Sequence, residues 1–260
     1  MISETFEKRW ERSISDTSEG GQRYPFIRIS KAAHQAIDTG INLLYRSGKF
    51  SKLLLLHDSY VFLYSSVLFG EINHTVSSLE ETTETDHQWD IICGLFQLGG
   101  RIPNSRYDSS VDSMLRSLTL IAENGIGVFF LTSATFRRFD IRSILTDYDI
   151  YLQAIIELPL GFLLPATSIP MSIVIVERKY TGHEFIAEIK HLEDLQTIFA
   201  NYINNKNTGY LETGIVQTPG LQTIPFYRLE EALSDMPSDY QSFPRIPLRE
   251  LSIKINACAT

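Results

Sequence analysis

The sequence predicts a three-layer α/β domain, a mostly parallel sheet with an antiparallel edge hairpin and helices on both faces. Short continuous apolar runs, of the kind that form strands buried on both faces, recur at residues 52–56, 89–93, 127–131, 152–158 and 172–177. Amphipathic stretches of helical period lie among them. The last run is followed by Tyr180-Thr181-Gly182-His183, a turn signal, and by a second run over 184–189, which together read as a hairpin.

Residues 1–24 are polar and contain Ser18-Glu19-Gly20-Gly21, so residues 1–30 read as a lead-in to the domain. From Lys31 to Tyr45 the residues Ala33, Ile37, Ile41 and Leu44 fall on one helical stripe, with Ser30 as N-cap and Gly48 as stop. Leu53-Leu54-Leu55-Leu56 then gives the first strand, and a second is expected near 71–76. The acidic stretch from Glu80 to Asp86 reads as a solvated loop before Trp89-Asp90-Ile91-Ile92-Cys93. Val111, Met114, Leu115, Leu118, Ile121 and Ala122 predict a helix stopped by a left-handed Asn124-Gly125, with the strand Gly127–Leu131 after it. Leu192, Leu195, Ile198, Phe199 and Tyr202 mark one more helix over 192–203. The domain is thus expected over 31–205, and 206–260 reads as a tail packed on it or leading out of it.

The chain's 260 residues, 43% of them hydrophobic, suffice for one such domain and an appendage. Its two cysteines, Cys93 and Cys258, are far apart and lack partners at metal-ligand spacing, so neither a zinc site nor a disulfide framework is expected. A reducing, cytoplasmic setting follows as the default. The charged N-terminus and the lack of a span-length apolar run argue against secretion and membrane insertion. A net charge of −8 disfavours broad phosphate binding, leaving nucleic acid to a local basic patch or a partner. Arg137, Arg138 and Arg142 are the candidate patch, although arginines on a crossover helix are commonly just solvated.

The stretch from Leu118 to Lys179 resembles a known family. Asn124-Gly125-Ile126-Gly127-Val128-Phe129-Phe130-Leu131 is similar to its glycine turn and strand. Leu158-Pro159-Leu160-Gly161-Phe162, the turn Thr167-Ser168-Ile169 and the strand ending in Lys179 resemble the close of the methylase domain in type I modification subunits. The family is that of the N6-adenine DNA methyltransferases of restriction-modification systems. The resemblance implies a Rossmann-like S-adenosylmethionine methyltransferase fold.

The positions that carry the family's chemistry depart from its pattern. A glycine-rich turn after the first strand lets backbone approach the methyl donor. Here the strand runs into His57-Asp58-Ser59-Tyr60-Val61-Phe62, without glycine. The degenerate cofactor positions are Asp58, Ser59, Glu71 as the ribose acid, and Asp90. The family's Asn/Asp-Pro-Pro-aromatic loop, whose amide and carbonyl accept from the target amine, is replaced by Leu95-Phe96-Gln97-Leu98. Leu95 offers no acceptor, and Phe96 and Gln97 replace the stiff prolines; Leu95, Phe96 and Leu98 read as core filling the vacated pocket. Cys93 reads as a buried small hydrophobe, and His57 and His74 lack a partner pattern. The interval from Glu71 to Asp90 is too short for the family's third strand and its helix.

These departures predict a catalytically inactive methyltransferase-like domain that serves as scaffold, partner subunit or nucleic-acid positioning module, with no cofactor or metal. One alternative is an active adenine methyltransferase using S-adenosylmethionine. Another is a domain that binds a different small ligand in the old cofactor crevice. Phe243–Leu251 resembles the segment that leads into a target-recognition domain in fused methylases, which would make that domain a missing partner.

Overall fold

The structure is a computed structural model that describes residues 31–47, 50, 52–56, 74–77, 79, 82, 88–96, 105–135, 140–161, 168–220 and 223–234. Helix α1 (Lys31–Ser47) leads into strands β1 (Leu53–Leu56), β2 (His74–Ser77) and β3 (Trp89–Leu95). Helix α2 (Ser109–Ser117), β4 (Ile121–Thr132), α3 (Ile141–Thr146), β5 (Tyr151–Glu157) and β6 (Met171–Glu177) follow. The unit closes with β7 (Glu184–Glu188), α4 (Asp194–Ile203) and β8 (Ile215–Gln217). The eight strands form one sheet in the order β2-β1-β3-β4-β6-β5-β7-β8.

Apolar residues on both faces of the strands create the three layers. Ile91, Cys93, Ile126, Val128, Phe130, Ala154, Ile156, Ile173 and Ile175 point to one face and share a core with Ile41 and Leu44 of α1 and Leu195, Ile198 and Phe199 of α4. On that face α1 and α4 pack together, and a Cβ on Gly40 would lie 2.9 Å from the Phe199 ring, so glycine permits the close crossing. The alternate strand residues, including Leu54, Ile92, Phe129 and Val174, are equally buried, and α2 packs on β3 and β4 while α3 packs on β5. Asp108 caps α2 by accepting from the Val111 N–H, and Asp140 caps α3 by accepting from Ser143.

Four departures from the sequence reading change the architecture. The expected hairpin does not form: β6 lies antiparallel between β4 and β5, whereas β7 pairs in parallel with β5. Gln153 of β5 secures the link that crosses between them, donating to the Lys179 carbonyl (2.9 Å) and accepting from the Thr181 hydroxyl (2.6 Å). The antiparallel edge is instead the pair β7 and β8.

The helix expected to reach Ala122 ends at Ser117, and a 3-10 turn over Leu118–Leu120 delivers the chain to a strand that already begins at Ile121. Asn124-Gly125 is therefore no helix stop. It sits where the β3–β4 register slips from Trp89↔Ile121 to Ile91↔Ile126, leaving extra residues bulged on β4. Gly125 is required by proximity, since a Cβ there would lie 2.7 Å from the Trp89 carbonyl oxygen. The second strand lies at His74–Ser77, slightly later than expected. It forms the sheet edge, with no further strand outside it among the described residues. Beyond residue 205 the chain contributes β8, and the compact unit runs to Leu221. A second unit, from Gln222 onward, contains helix α5 (Ile224–Ser234).

Candidate functional site: the carboxyl end of the parallel strands

In an open α/β sheet, ligands bind outside the carboxyl ends of the strands, where neighbouring connections diverge. Here that point lies between β1 and β3, since β1 has β2 on one side and β3 on the other. Of the sequence-predicted residues, Asp58, Ser59, Glu71, Gln97 and Leu98 lie outside the described residues, as do His57, Arg137 and Arg138. Leu95 ends β3 with its backbone opposite Phe130 of β4.

Phe96 follows and is fully buried. Its ring stacks on Phe129 with centroids 5.9 Å apart and planes inclined by 28°. It also covers Gly94 so closely that a Cβ there would lie 2.6 Å from the ring. The first position past β3 is therefore filled by hydrocarbon and presents no hydrogen-bond acceptor from a side chain. Leu56, at the end of β1, is buried as well.

Asp90 stands apart from this end. It lies near the start of β3, where its carboxylate accepts from the Lys52 N–H at 2.9 Å, and its own N–H donates to the Lys52 carbonyl at 3.1 Å. About four residues of extended chain, at roughly 3.3 Å each, separate it from the carboxyl end. Asp90, a degenerate family position in the sequence, is thus a tie between β1 and β3.

Arg142, a candidate phosphate contact, is also otherwise engaged. Its Nε and Nη2 donate to the two carboxylate oxygens of Glu184, at 2.8 and 2.6 Å, and the Glu184 side chain is wholly buried. The guanidinium is held protonated above its usual range chiefly by that hydrogen bond. Cys93 is buried in the core. No group of three His, Cys, Asp or Glu side chains among the described residues is arranged to hold a metal ion.

The polar machinery that sequence reasoning missed lies at the opposite, amino end of the parallel strands. Tyr202 of α4 donates to Glu177 at 3.0 Å. Burial raises the Glu177 carboxyl above its ordinary range, opposed by the Tyr202 hydrogen bond and by the charges of Lys179 and His183. Burial likewise pushes the Tyr202 hydroxyl well up. Arg178 donates to the carbonyls of Ile121 (3.1 Å) and Leu118 (3.5 Å), tying β6 to the start of β4. Glu177 ends an apolar run and Tyr202 lies on an apolar stripe, so neither carried a signal that would pair them.

No protein-family model matches the sequence, and no curated protein matches it. In three dimensions the chain is similar to the methyltransferase subunit of a type I restriction-modification system from Streptococcus thermophilus. The TM-score is 0.53 at 13% identity, over 88% of this chain and 62% of that one. It is also similar to a putative class I S-adenosylmethionine-dependent methyltransferase from Listeria monocytogenes, with a TM-score of 0.52 at 12% identity over 78% of each chain. The class these likenesses define is the α/β Rossmann-like methyltransferase fold. The chain spans about three fifths of the Streptococcus subunit's length.

Proposed function

We propose that this chain is a catalytically silent methyltransferase-fold domain that works as a scaffold or partner subunit in an assembly of the restriction-modification type. The observation that carries the reading is Phe96, buried against Phe129 at the end of β3. An exocyclic adenine amine is a poor nucleophile because its lone pair is delocalised into the ring, so transfer to it depends on fixed acceptors that reorganise the nitrogen. Leu95 and Phe96 supply none from their side chains. Losing those acceptors removes positioning and electrostatic contributions of several kcal/mol, hence orders of magnitude in rate.

On this reading the chain does not bind S-adenosylmethionine, a reading supported by its sequence alone. The sequence after β1, His57-Asp58-Ser59-Tyr60-Val61-Phe62, has no glycine to admit the donor against the backbone. The subunit role rests on the Streptococcus protein, itself a subunit of a type I system. DNA reading then falls to a target-recognition domain supplied by another chain or a further segment. Incubation with tritiated S-adenosylmethionine and adenine-containing DNA, single- and double-stranded, tests the reading beside an active methyltransferase as control. No label above background is expected, and titration calorimetry should register no donor binding at micromolar concentration. Incorporated label that disappears when residues 95–98 are changed would establish an active enzyme instead.

A further inference from the structure

Asn124-Gly125, expected from sequence to stop a helix, has a second chemical property. It is the chain's only Asn-Gly pair. Asparagine is thermolabile because its side-chain amide can be attacked by the backbone nitrogen of the residue that follows. Glycine in that place makes the attack easiest, since no Cβ hinders the approach. In a folded protein the outcome turns on local freedom. A regular ladder holds the backbone away from the ring-closing conformation, whereas an irregular, exposed segment opens at little cost.

The structure puts this pair where the ladders are interrupted. The β3–β4 register passes from Trp89↔Ile121 to Ile91↔Ile126, and the β4–β6 register begins at Ile126↔Glu177. Residues 122–125 therefore have no register partner on either neighbour among the described residues. Glu123 and Asn124 are exposed. Asn124 also lines an open groove of about 640 Å³ with Gln88, Glu123, Asp149, Arg178 and Lys179, so water reaches its amide. No hydrogen bond to another described residue holds that amide in place. Behind it Gly125 is buried, with room for no further carbon: a Cβ there would lie 2.7 Å from the Trp89 carbonyl oxygen and 3.0 Å from that of Asp90.

We propose that Asn124 is a site of spontaneous deamidation, and that its isoaspartate product undoes the β3–β4 register. The Gly125 nitrogen bonds to the side-chain carbonyl carbon of Asn124, the bond from that carbon to the amide nitrogen breaks, and ammonia leaves with the proton that Gly125 gives up. Water then opens the succinimide. Hydrolysis at the side-chain carbonyl gives aspartate, and hydrolysis at the main-chain carbonyl gives isoaspartate, whose backbone is longer by one methylene. That added carbon enters the chain directly before Gly125, where the Trp89 and Asp90 carbonyls leave no space, so the pairing that starts at Ile126 must shift. The proposal is independent of whether the carboxyl end binds a methyl donor.

The test incubates the full chain warm at mildly alkaline pH and maps its peptides by mass spectrometry, with fragment ions that distinguish aspartate from isoaspartate. The peptide holding Asn124 should convert ahead of every other asparagine, and more slowly at mildly acidic pH, because the attacking nitrogen must lose its proton. Asn124→Gln should abolish conversion at this position, since the longer side chain closes a ring poorly. The chain unfolded in guanidinium gives the unhindered rate, and the folded rate should lie within roughly tenfold of it. Thermal melting then reads the consequence: the isoaspartate fraction should melt below fresh protein, while Asn124→Asp, which adds the charge without lengthening the backbone, should melt close to it. A folded chain that keeps Asn124 intact while the unfolded chain converts would overturn the proposal. So would an isoaspartate fraction that melts with fresh protein, or an Asn124→Asp variant that melts as low as that fraction.

Discussion

The two ends of β3 differ in the way opposite to that of an adenine methyltransferase. At its carboxyl end Gly94 and Phe96 are closed by aromatic stacking on Phe129. At its amino end Asp90 is hydrogen-bonded to the start of β1, beside the β4 bulge and a groove lined with charge. Fold geometry places a binding crevice at the first end, yet the Glu177–Tyr202 and Arg142–Glu184 pairs lie at the second. A fold can therefore persist while the side chains at its usual ligand end serve packing, and kinship of fold alone assigns no chemistry.

The largest effect that would break the comparison comes from the closed end. Phe96→Ala should cost about 4 kcal/mol of stability, since it removes a fully buried ring and leaves a cavity between Gly94 and Phe129. Urea denaturation measures it, and a loss below about 1 kcal/mol would mean that the ring is not core. At the other end, Arg142→Ala leaves the buried Glu184 carboxylate without its two donors. The expected loss is about 3 kcal/mol, at the low end for a buried pair because the arginine is itself one-third exposed. Arg142→Lys should recover only part of it, because an ammonium cannot reproduce the guanidinium's fork.

Gly125→Ala sharpens the comparison from the backbone side. Its Cβ would press on the carbonyl oxygens of Trp89 and Asp90, at 2.7 and 3.0 Å, so the bulge must shift at a cost of about 2 kcal/mol by thermal melting. The smallest effect is set by Glu177. Its folded carboxyl titrates above the unfolded value, mainly through burial, so the folded state binds the proton more tightly. The resulting stability is fully present below the unfolded range and is lost as pH rises through the folded pKa. Glu177→Gln should thus raise stability at neutral pH and flatten the decline just above the ordinary glutamate range. Denaturation across that window checks the sign.

Much of the fold was legible because β1, β3, β4, β5 and β6 are runs of Leu, Ile, Val and Phe bounded by polar residues, a pattern that sterics and burial alone produce. The pairing of those strands was not. Turn chemistry at Tyr180–His183 is local, whereas Gln153, which fixes the crossing link, lies 26 residues from Lys179 in sequence. Asn124-Gly125 misled for a related reason: the same dipeptide serves a helix stop or a bulge, and only the approach of the Trp89 carbonyl decides. At the candidate site, the reading of Phe96 as core was legible because its side chain is pure hydrocarbon, and it is fully buried. The engagement of Arg142 by Glu184 spans 42 residues and left no local trace.

The insertion of β6 has a consequence for how the chain is made. β4 and β5 share no ladder, and among the described residues Met171–Glu177 is the backbone seam joining the β2-β1-β3-β4 half-sheet to the β5-β7-β8 half-sheet. During synthesis both flanking strands emerge before the strand that unites them. Until it arrives each has a bare hydrogen-bonding margin of apolar residues, the kind of edge that recruits foreign chains. A nascent polypeptide stalled near residue 170 thus holds the β2-β1-β3-β4 half-sheet and a lone β5 strand, and the bare β4 margin is covered only when these seven residues arrive.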